Sequence, residues 1–557
     1  MEQVTRRNFL KSASIVAAGA AVVGLAGCSS SDAPAAEQEL GAMPETGAVE
    51  WAGEADFIIV GSGAAGLAAA ITCYDEGLGD AIVLEVAPEE EMGGNSRCCG
   101  QGVFSPDSVE AAIEYQSALS LPYVVEDDIM NAWAEEICKN VDWLTDVVGA
   151  DLTMENHPEF PEMPGSDHIL LVNPEEGRNT DGSGTLWLDM KDKADELGVP
   201  FEYEARAVSL VTGDGNEVRG VVTEDGRNFK ARKGVILAAG GFEFNEEMMQ
   251  TYCPCGYSGT KGKGTWWNRG DGILMAQAVG AKLWHMNNFS GNYPGFRTLA
   301  ADNDDARTWP SFKTHDYIFL DAYGDRYMNE DCMGIGEGLL RHGKIFRHGS
   351  YADLDLPTGG WCIFGQNAFD SGNLFSSSSF AGQLNKVFNS FADNQAAVDA
   401  GVVIKCETLA EVAAATGYDE AKLAAVIEQY NGFVDAGFDE HFHRGSNLSA
   451  MGQLVPSPGH ENDEIYKAAF DLEKIESPYY VTEIVNTVLN SQGGPKRNAN
   501  GQIVGAIDET PIPRLYGAGE MGAPYPYLYN QGGNFGEAMS SGRIAVRHAA
   551  TLDSWEA

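Results

Sequence analysis

The stretch of sequence that decides the fold is DFIIVGSGAAGLAAAI, residues 56–71. Its first five residues are almost all apolar and predict a short strand that is buried on both faces. Glycines with the spacing GxGxxG follow, and the alanine-rich residues after them favour a helix. A strand, a tight turn and a helix in this order place backbone amides at a helix N-terminus, where they can bind the phosphates of a dinucleotide.

The individual residues of the turn support this interpretation. Gly61 permits the tight turn, Gly63 lets the backbone approach a pyrophosphate, and Gly66 lets the helix pack close to the strand. A second apolar run ends at Glu85, about 20 residues beyond the last of these glycines. A carboxylate at this position can accept hydrogen bonds from ribose hydroxyls.

Further glycine-rich segments follow later strands and reach the C-terminal end of the chain. They favour FAD over a nicotinamide dinucleotide, because the longer cofactor needs backbone contact in more places. Ordinary turns would explain any one segment, but not their positions after successive strands. The predicted cofactor-binding residues are Gly61, Ser62, Gly63, Ala64, Ala65, Gly66, Glu85, Gly93, Gly94, Asn95, Ser96, Gly102, Ala239, Gly240, Asp271, Gly519, Glu520, Gly533 and Asn534.

Length and charge limit the possible functions. The chain has 557 residues, which predicts two or three domains, and its 82 acidic against 36 basic residues give a formal net charge of -46. Such a charge repels nucleic acid, so we expect no nucleic-acid partner. The cysteines form no CxxC or CxxCH motif, so we predict no metal site and no attached haem.

Residues 1–28 have the character of an export signal. A pair of arginines precedes an apolar run that is too short for a membrane span. The run ends in LAGC, a bacterial lipobox in which Cys28 becomes lipidated; ordinary signal-peptidase cleavage is the alternative. We therefore expect export by the twin-arginine pathway and a lipid anchor on Cys28, at the outer face of the cytoplasmic membrane or in the cell envelope. Residues 29–50 have the composition of a flexible tether.

The motifs resemble those of the flavoprotein subunits of fumarate reductase and succinate dehydrogenase, with the urocanate reductases and 3-ketosteroid dehydrogenases as relatives. The resemblance covers about residues 54–549 and rests on GSGAAGLAAA, MGGNSR, KGVILAAGGF, NRGDGILMAQAVGA, GDRYMNE, SPYYV and LYGAGEMG, followed by QGGNFGEAMSSGRIA. It implies an α/β fold in which a Rossmann-like FAD-binding domain, residues 51–290 and 479–557, is interrupted by an α+β capping domain, residues 291–478.

In the family, the capping domain closes over the substrate beside the flavin ring. Thr408 and Glu411 predict a capping box at the start of one helix of this segment, and a second helix is expected over residues 419–433. His315 and Tyr327 of the same segment are further candidates for catalysis.

The family's dicarboxylate enzymes hold their substrate with two histidines and an arginine, and use a second arginine as the acid. At the matching positions this sequence has uncharged residues, namely Asn292, Gly334, Asn490 and Asn530. Buried carboxylates need paired cations, so we do not expect a small dicarboxylate as the substrate. The alternative is that His285, His315 or Arg341 supplies the missing charge.

An aromatic run precedes the last glycine-rich segment and resembles the tyrosine-bearing loop of ketosteroid dehydrogenases. The resemblance implies that at least one of these tyrosines polarises a ketone or moves a proton. A purely structural aromatic wall is the alternative. The candidate catalytic residues of this run are Tyr525, Tyr527, Tyr529 and Asn530.

Together these features predict a reductase that transfers a hydride from flavin N5 to the activated C=C bond of a largely neutral small molecule, an aromatic or polycyclic enone or an aryl alkene. A ketosteroid-type dehydrogenase is one alternative, and a lipoprotein that only carries electrons is another. The chain has no haem motif or second flavin motif, so a separate carrier such as a membrane-linked cytochrome or flavoprotein is expected to complete the circuit.

Overall fold

The computed structural model describes residues 49–175, 183–253, 260–291, 293–297, 307–330, 340–347, 350–353, 359–375, 391–437, 439–442, 444 and 472–556. The predicted export signal with Cys28 and residues 29–48 of the predicted tether lie outside the described residues, as do Asn292 and Gly334. No helix within the described ranges combines the length and the apolar character that crossing a membrane requires.

The strands are numbered in chain order. They are β1 (Gly53–Val60), β2 (Ala81–Leu84), β3 (Val103–Pro106), β4 (Leu152–Asn156), β5 (Ile169–Pro174), β6 (Phe201–Glu202), β7 (Ala207–Thr212), β8 (Val218–Thr223), β9 (Asn228–Leu237), β10 (Lys261–Gly262), β11 (Leu283–Trp284), β12 (Phe289–Ser290), β13 (Tyr293–Arg297), β14 (Arg307–Thr308), β15 (Tyr317–Asp321), β16 (Leu340–Arg341), β17 (Lys344–Arg347), β18 (Ser350–Asp353), β19 (Gly360–Phe364), β20 (Val403–Cys406), β21 (Tyr479–Val488), β22 (Asn490–Ser491), β23 (Gly494–Pro495), β24 (Gln502–Val504) and β25 (Pro511–Gly517).

The helices are numbered in the same way. They are α1 (Ala64–Asp75), α2 (Gly94–Cys98), α3 (Val109–Ser120), α4 (Asp127–Ile137), α5 (Asn140–Asp142), α6 (Thr185–Glu196), α7 (Glu246–Tyr252), α8 (Asp271–Ala278), α9 (Gln366–Asp370), α10 (Asn394–Asp399), α11 (Leu409–Thr416), α12 (Glu420–Ala436) and α13 (Gly533–Ala550).

The larger sheet has the strand order β24-β25-β9-β1-β2-β6, and its strands from β25 to β6 are parallel. Strand β1 is covered on both faces, which explains why its sequence does not alternate. Phe57 and Ile59 pack in a cluster with residues of α1 and α13, whereas Ile58 and Val60 pack in a second cluster with residues of α8. The chain therefore builds the layered α/β arrangement that the first motif predicts.

The glycine turn between β1 and α1 leaves no room for side chains. Gly61 has a φ of 105°, and a Cβ there would lie 2.5 Å from the carbonyl oxygen of Ala238. A Cβ on Gly66 would lie 1.9 Å from the carbonyl oxygen of Gly61. The C-terminal helix α13 packs on α1 equally closely, since a Cβ on Gly542 would lie 2.3 Å from the carbonyl oxygen of Ala65. The two ends of the described chain thus meet beside the turn.

A second sheet is built around the long strand β21. It has the order β14-β13-β21-β19-β15, with β10 and β20 also paired to β21. This sheet draws strands from all three predicted segments, because β10 lies before residue 291 and β21 begins at residue 479. The segment boundaries given above remain a prediction.

The helix pair α11 and α12 lies within the predicted cap. The hydroxyl of Thr408 accepts a hydrogen bond from the backbone N–H of Glu411 at 3.2 Å, as the capping box requires. The Glu411 carboxylate accepts in turn from the backbone N–H of Glu407 at 2.6 Å. The predicted helix start is confirmed, with the carboxylate reaching one residue further back than expected.

Candidate active site

A cavity of about 420 Å³ opens at the carboxyl ends of the parallel strands, where open α/β sheets bind their ligands. Most residues predicted to bind the cofactor line it, namely Gly61, Ser62, Gly63, Ala64, Ala65, Glu85, Gly94, Asn95, Ser96, Gly102, Ala239, Gly240, Asp271, Gly519, Glu520 and Asn534. They come from successive strand ends and from the segments around α2, α8 and α13.

Three of the predicted glycines lie behind the cavity wall. Gly66 packs on the glycine turn, and Gly93, with a φ of 107°, would place a Cβ 2.6 Å from the indole ring of Trp187. Gly533 begins α13, where a Cβ would lie 3.2 Å from the Tyr529 ring. The structure thus gives these glycines a packing role, and a direct cofactor contact for them remains a prediction.

Glu85 stands at the end of β2 and lines the cavity. The backbone N–H of Ser62 donates to its Oε2 at 3.0 Å, and the backbone N–H of Ala87 donates to its Oε1 at 2.8 Å. Burial raises the pKa of Glu85, and these hydrogen bonds oppose the rise. The carboxyl group is therefore held in one orientation at the strand end, beside the N-terminus of α1.

Two buried carboxyl groups, Glu243 and Glu520, share their hydrogen-bond donors. The side-chain amide of Asn95 donates to Glu243 at 2.9 Å and to Glu520 at 3.3 Å, and Asn268 donates to them at 2.8 and 3.3 Å. The backbone N–H of Gly241 donates to Glu520 at 3.2 Å. Burial raises the pKa of both carboxyls, and the neighbouring Glu243 raises that of Glu520 further. Glu520 therefore favours the neutral form, which can donate as well as accept a hydrogen bond.

The cavity fits an FAD molecule. The N-terminus of α1 presents backbone amides at the glycine turn, where the absence of side chains lets a pyrophosphate approach. Glu85 is positioned for ribose hydroxyls, and Asn95 and Glu520 offer polar groups further along the cavity. Asp271, at the start of α8, lines the wall and is held by Arg206 through hydrogen bonds of 2.8 and 2.9 Å.

Several residues of the cavity lining carry aromatic or imidazole rings. Tyr293 at the start of β13 and Trp309 pack edge to face with ring centroids 4.7 Å apart. Tyr529 and His342 pack in the same manner at 4.8 Å. All four residues line the cavity together with Asn490, whose Oδ1 accepts a hydrogen bond from the Ser290 hydroxyl at 2.8 Å. We name these five residues, Tyr293, Trp309, His342, Tyr529 and Asn490, the substrate end of the cavity; four of them carry rings and one carries an amide.

Few charged side chains line the cavity, and a buried lysine stands against one of its rings, with the Lys263 Nζ 3.7 Å from the centroid of the Trp309 ring. Within the described ranges the carboxylic acids that line the cavity are Glu85, Asp271 and Glu520, and no Lys or Arg lines it. His285, a possible substitute cation, does not line it; burial lowers its pKa to about 4, and its Nε2 lies 2.7 Å from the carbonyl oxygen of Ala523. His285 is therefore neutral near pH 7. The side chain of Arg341 lies outside the described part of the structure.

Of the tyrosines in the predicted catalytic run, only Tyr529 lines the cavity. Tyr525 is buried among apolar residues and donates to the carbonyl oxygen of Gly533 at 3.1 Å. The Tyr527 hydroxyl donates to the carbonyl oxygen of Tyr351. Tyr529 lies beside the N-terminus of α13, and burial raises its pKa. Tyr529 therefore lies at the cavity, whereas Tyr525 and Tyr527 donate to backbone carbonyls of other segments.

Asn530, His315 and Tyr327 are placed away from the cavity lining. The Oδ1 of Asn530 accepts from the Tyr115 hydroxyl at 2.6 Å, and its amide donates to the carbonyl oxygen of Gln531 at 2.8 Å, so it joins elements of the fold. The carbonyl oxygen of His315 accepts from the Tyr430 hydroxyl at 2.8 Å. Burial raises the pKa of Tyr327 well above its ordinary value. A catalytic role for these three remains a prediction that the cavity does not support.

Sequence reasoning missed several residues of the cavity and its polar surroundings. Glu243 lies two residues after Gly241, close to the end of β9, and this position after a strand was an available signal. Tyr293, Trp309 and His342 come from the segment between the two halves of the larger sheet, where no motif marked them. Glu159, which bonds to His342, lies in a loop far away in sequence.

Comparisons with known proteins identify the family and the enzyme class of this chain. A family model described as FAD binding domain matches residues 56–535. The 3-oxosteroid 1-dehydrogenase of Mycobacterium tuberculosis strain H37Rv is 26% identical over 89% of this chain and 98% of its own length. The digoxin reductase of Eggerthella lenta is 25% identical over 99% of this chain and 98% of its own. The open conformation of a flavocytochrome c3 fumarate reductase matches with a TM-score of 0.62 at 22% identity, covering 90% of this chain and 79% of that one.

These matches confirm the predicted α/β fold, the resemblance to fumarate reductase-like flavoproteins and the FAD cofactor. They also confirm the enzyme class, an FAD-dependent oxidoreductase that acts on CH–CH or C=C bonds. The chain belongs to the FAD binding domain family.

Proposed function

We propose that this enzyme saturates an activated C=C bond in a largely neutral aromatic or polycyclic molecule, an enone or an aryl alkene. The observation that carries the proposal is the composition of the cavity lining. Its substrate end is mainly aromatic, and within the described ranges no Lys or Arg lines the cavity. A dicarboxylate in such a cavity would find a partner for one carboxylate at most, a protonated His342, and its second carboxylate would be desolvated at a cost of several kcal/mol, about the effective penalty for a buried ion. A neutral, flat molecule meets no such penalty and can pack on Tyr293 and Trp309.

The residues of the substrate end have separable tasks in this reaction. When bound, the flavin supplies the hydride that is added to one carbon of the C=C bond. Tyr529 holds the conjugated oxygen of the substrate by donating a hydrogen bond, and the raised pKa keeps its phenol protonated for this purpose. Asn490 lines the same end of the cavity, where its Nδ2 donates to the carbonyl oxygen of Ser491 at 3.1 Å. The aromatic walls exclude water, which strengthens these hydrogen bonds.

A 3-ketosteroid-type dehydrogenase is the second candidate. It is favoured by the similarity to a 3-oxosteroid 1-dehydrogenase over almost the whole length of that protein. The similarity to a digoxin reductase over almost the whole of both chains supports the reductive direction. Both candidates use the same groups, so the electron partner distinguishes them.

We further propose that the enzyme works outside the cytoplasm as a lipoprotein. The support is the twin-arginine signal and the lipobox ending at Cys28. A separate membrane-linked cytochrome or flavoprotein would then deliver the electrons, since the chain carries no motif for a second redox group.

The proposed substrate class is tested by reducing the purified holoenzyme with dithionite without air and offering fumarate, cinnamate-type acids, stilbenes and enone steroids. We expect flavin reoxidation by a neutral alkene and not by fumarate. Y529F should slow reoxidation by about 10²- to 10³-fold, as the loss of one hydrogen-bond donor to a developing oxyanion does. Y527F is the matched control, because Tyr527 does not line the cavity. Reoxidation by fumarate alone would contradict the proposal.

A further inference from the structure

We propose that His342 gives the second hydrogen of the reaction as a proton, and that Glu159 holds the imidazole in place for this step. The inference rests on the proposed function, since it assigns the proton donor for the same C=C bond. A separate proton donor is needed because Tyr529, whose pKa is raised, is suited to hold a substrate oxygen rather than to release its own proton.

Both nitrogens of the His342 ring have defined surroundings. Nδ1 lies 2.6 Å from Oε1 of Glu159. The other oxygen of this carboxylate accepts from the backbone N–H of Gln531 at 2.7 Å, and the Glu159 side chain is 2% exposed. The carboxylate is therefore fixed by partners on both oxygens and holds the proton on Nδ1 of His342. No partner of Nε2 is found within the described ranges.

The backbone brings His342 to the cavity. Strands β16 and β17 pair as a hairpin, with Arg341 opposite Lys344, so His342 and Gly343 form its two-residue loop. Their φ values of 46° and 80° are both positive, as in a type I′ turn, whose first position favours Asn, Asp or Gly. The carbonyl oxygen of His342 accepts from the backbone N–H of Gly291 at 2.8 Å. The imidazole thus sits at the tip of a tethered turn, in a position where the turn itself does not favour histidine.

The position of His342 suits proton transfer to a substrate held at the substrate end of the cavity. His342 lines the cavity beside Tyr529, edge to face, and its side chain is 14% exposed. His157 also lines the cavity, but the Glu159 contact belongs to His342. A histidine oriented by a carboxylate is the arrangement that general acid catalysis uses.

The step balances in atoms and charge. The hydride supplied by reduced flavin forms one C–H bond and shifts the π electrons towards the substrate oxygen held by Tyr529. The N–H bond on Nε2 of the His342 imidazolium breaks, and its proton forms the second C–H bond. The product is the saturated compound, the imidazole is left neutral, and water returns the proton to it. Glu159 acts as a positioning residue and keeps the ring and its tautomer fixed.

The experiment follows flavin reoxidation in a single turnover, with the reduced holoenzyme and the neutral alkene that reoxidises the wild type. H342Q should lower the rate by about 10²- to 10⁴-fold, the usual contribution of a general acid. E159Q should lower it by a smaller factor, without changing the alkene concentration at half-maximal rate. Imidazole added to H342A should restore part of the rate, which a purely structural role would not allow.

Two controls accompany these variants. H168Q removes a histidine that is paired with Asp107 at 2.7 Å but lies half exposed on the surface, and its rate should equal that of the wild type. H157Q tests the other histidine of the cavity and should cost less than H342Q. FAD content, read from the flavin absorbance, should be the same in all variants. Diethyl pyrocarbonate followed by peptide mapping should label His342 in the oxidised holoenzyme.

The outcomes separate the two proposals. If no alkene reoxidises the wild type, the proposed function fails and the assignment of His342 fails with it. If an alkene does so and H342Q reacts at the wild-type rate, only the assignment fails. A loss larger in H157Q than in H342Q, no rescue by imidazole, or labelling of His168 without labelling of His342 would also overturn it.

Discussion

Replacing Arg497 with methionine should destabilise the loop that carries Glu520 into the cavity. The Arg497 side chain is 6% exposed and forms an ion pair of 2.7 Å with Glu537, which is 2% exposed. The same guanidinium donates to the backbone carbonyls of Gly517, Gly519 and Gly522 at 2.9 to 3.3 Å. It therefore connects α13 to the turn after β25.

The expected loss of stability follows from the buried Glu537 carboxylate, which R497M leaves without its partner. Breaking a buried ion pair by removing one partner costs about 3–5 kcal/mol, because the other charge stays buried without compensation. We expect R497M to lower the free energy of unfolding by about 6 kcal/mol, with about 4 kcal/mol from the uncompensated Glu537 charge and about 2 kcal/mol from the carbonyls that lose their donor. In the double variant R497M/E537L the stranded charge is gone, and the remaining cost should fall to about 2 kcal/mol from the carbonyls that lose their donor.

Urea unfolding of the apo-protein, followed by tryptophan fluorescence, measures both effects, and release of FAD during unfolding of the holoenzyme gives a second reading. The matched control is R227M, because Arg227 and Glu202 form a pair of 2.7 Å that is 33% and 43% exposed. Its loss should cost less than about 1 kcal/mol. A cost for R497M no larger than that of R227M, or a double variant as unstable as the single one, would refute this reasoning.

Three further predictions concern other parts of the chain. G66A should lose FAD, because the added Cβ would lie 1.9 Å from the carbonyl oxygen of Gly61. The control G432A, in a helix with open space around the position, should keep its FAD and be neutral or stabilising. Flavin absorbance after gel filtration measures how much FAD each variant retains. Burial and Glu243 raise the pKa of Glu520, so the folded chain holds a proton that the unfolded chain releases above about pH 4.3. Stability should therefore fall as the pH rises through the folded pKa, and E520Q should reduce that fall in urea midpoints measured from about pH 5 to about pH 8. C28A should move the enzyme from the membrane fraction to the soluble fraction and abolish labelling by a palmitate analogue.

The cofactor half of the site could be predicted because its chemistry depends on the backbone. Close approach to a pyrophosphate demands glycine at fixed spacing, and the steric limits at Gly61 and Gly66 can be recognised in a sequence without knowing the remaining fold. The carboxyl groups of Glu85 and Glu520 stand directly beside such glycines or strand ends. Sequence neighbours are here also neighbours in space.

The substrate half could not be predicted in the same way, because its residues meet only through tertiary contacts. Tyr293, Trp309 and His342 lie in strands or loops of the inserted segment and have no shared spacing. The alternating run with Tyr525 and Tyr529 looks uniform in sequence, yet only the second lines the cavity. Tyr525 packs edge to face on Trp133 with ring centroids 6.0 Å apart, and periodicity does not report this tertiary contact.

The groups assigned to the substrate end serve both directions of the reaction. An imidazole that gives a proton to an enolate carbon takes it back when the saturated compound is oxidised, because forward and reverse paths cross the same transition state. In the proposed mechanism Tyr529 would stabilise the charged oxygen of that transition state in either direction. Changes in these residues therefore alter the rates of reduction and dehydrogenation by one common factor and leave their equilibrium unchanged. Under the proposed function, the partner that reduces or oxidises the flavin would therefore decide the direction, which agrees with the similarity of this chain to both a named dehydrogenase and a named reductase.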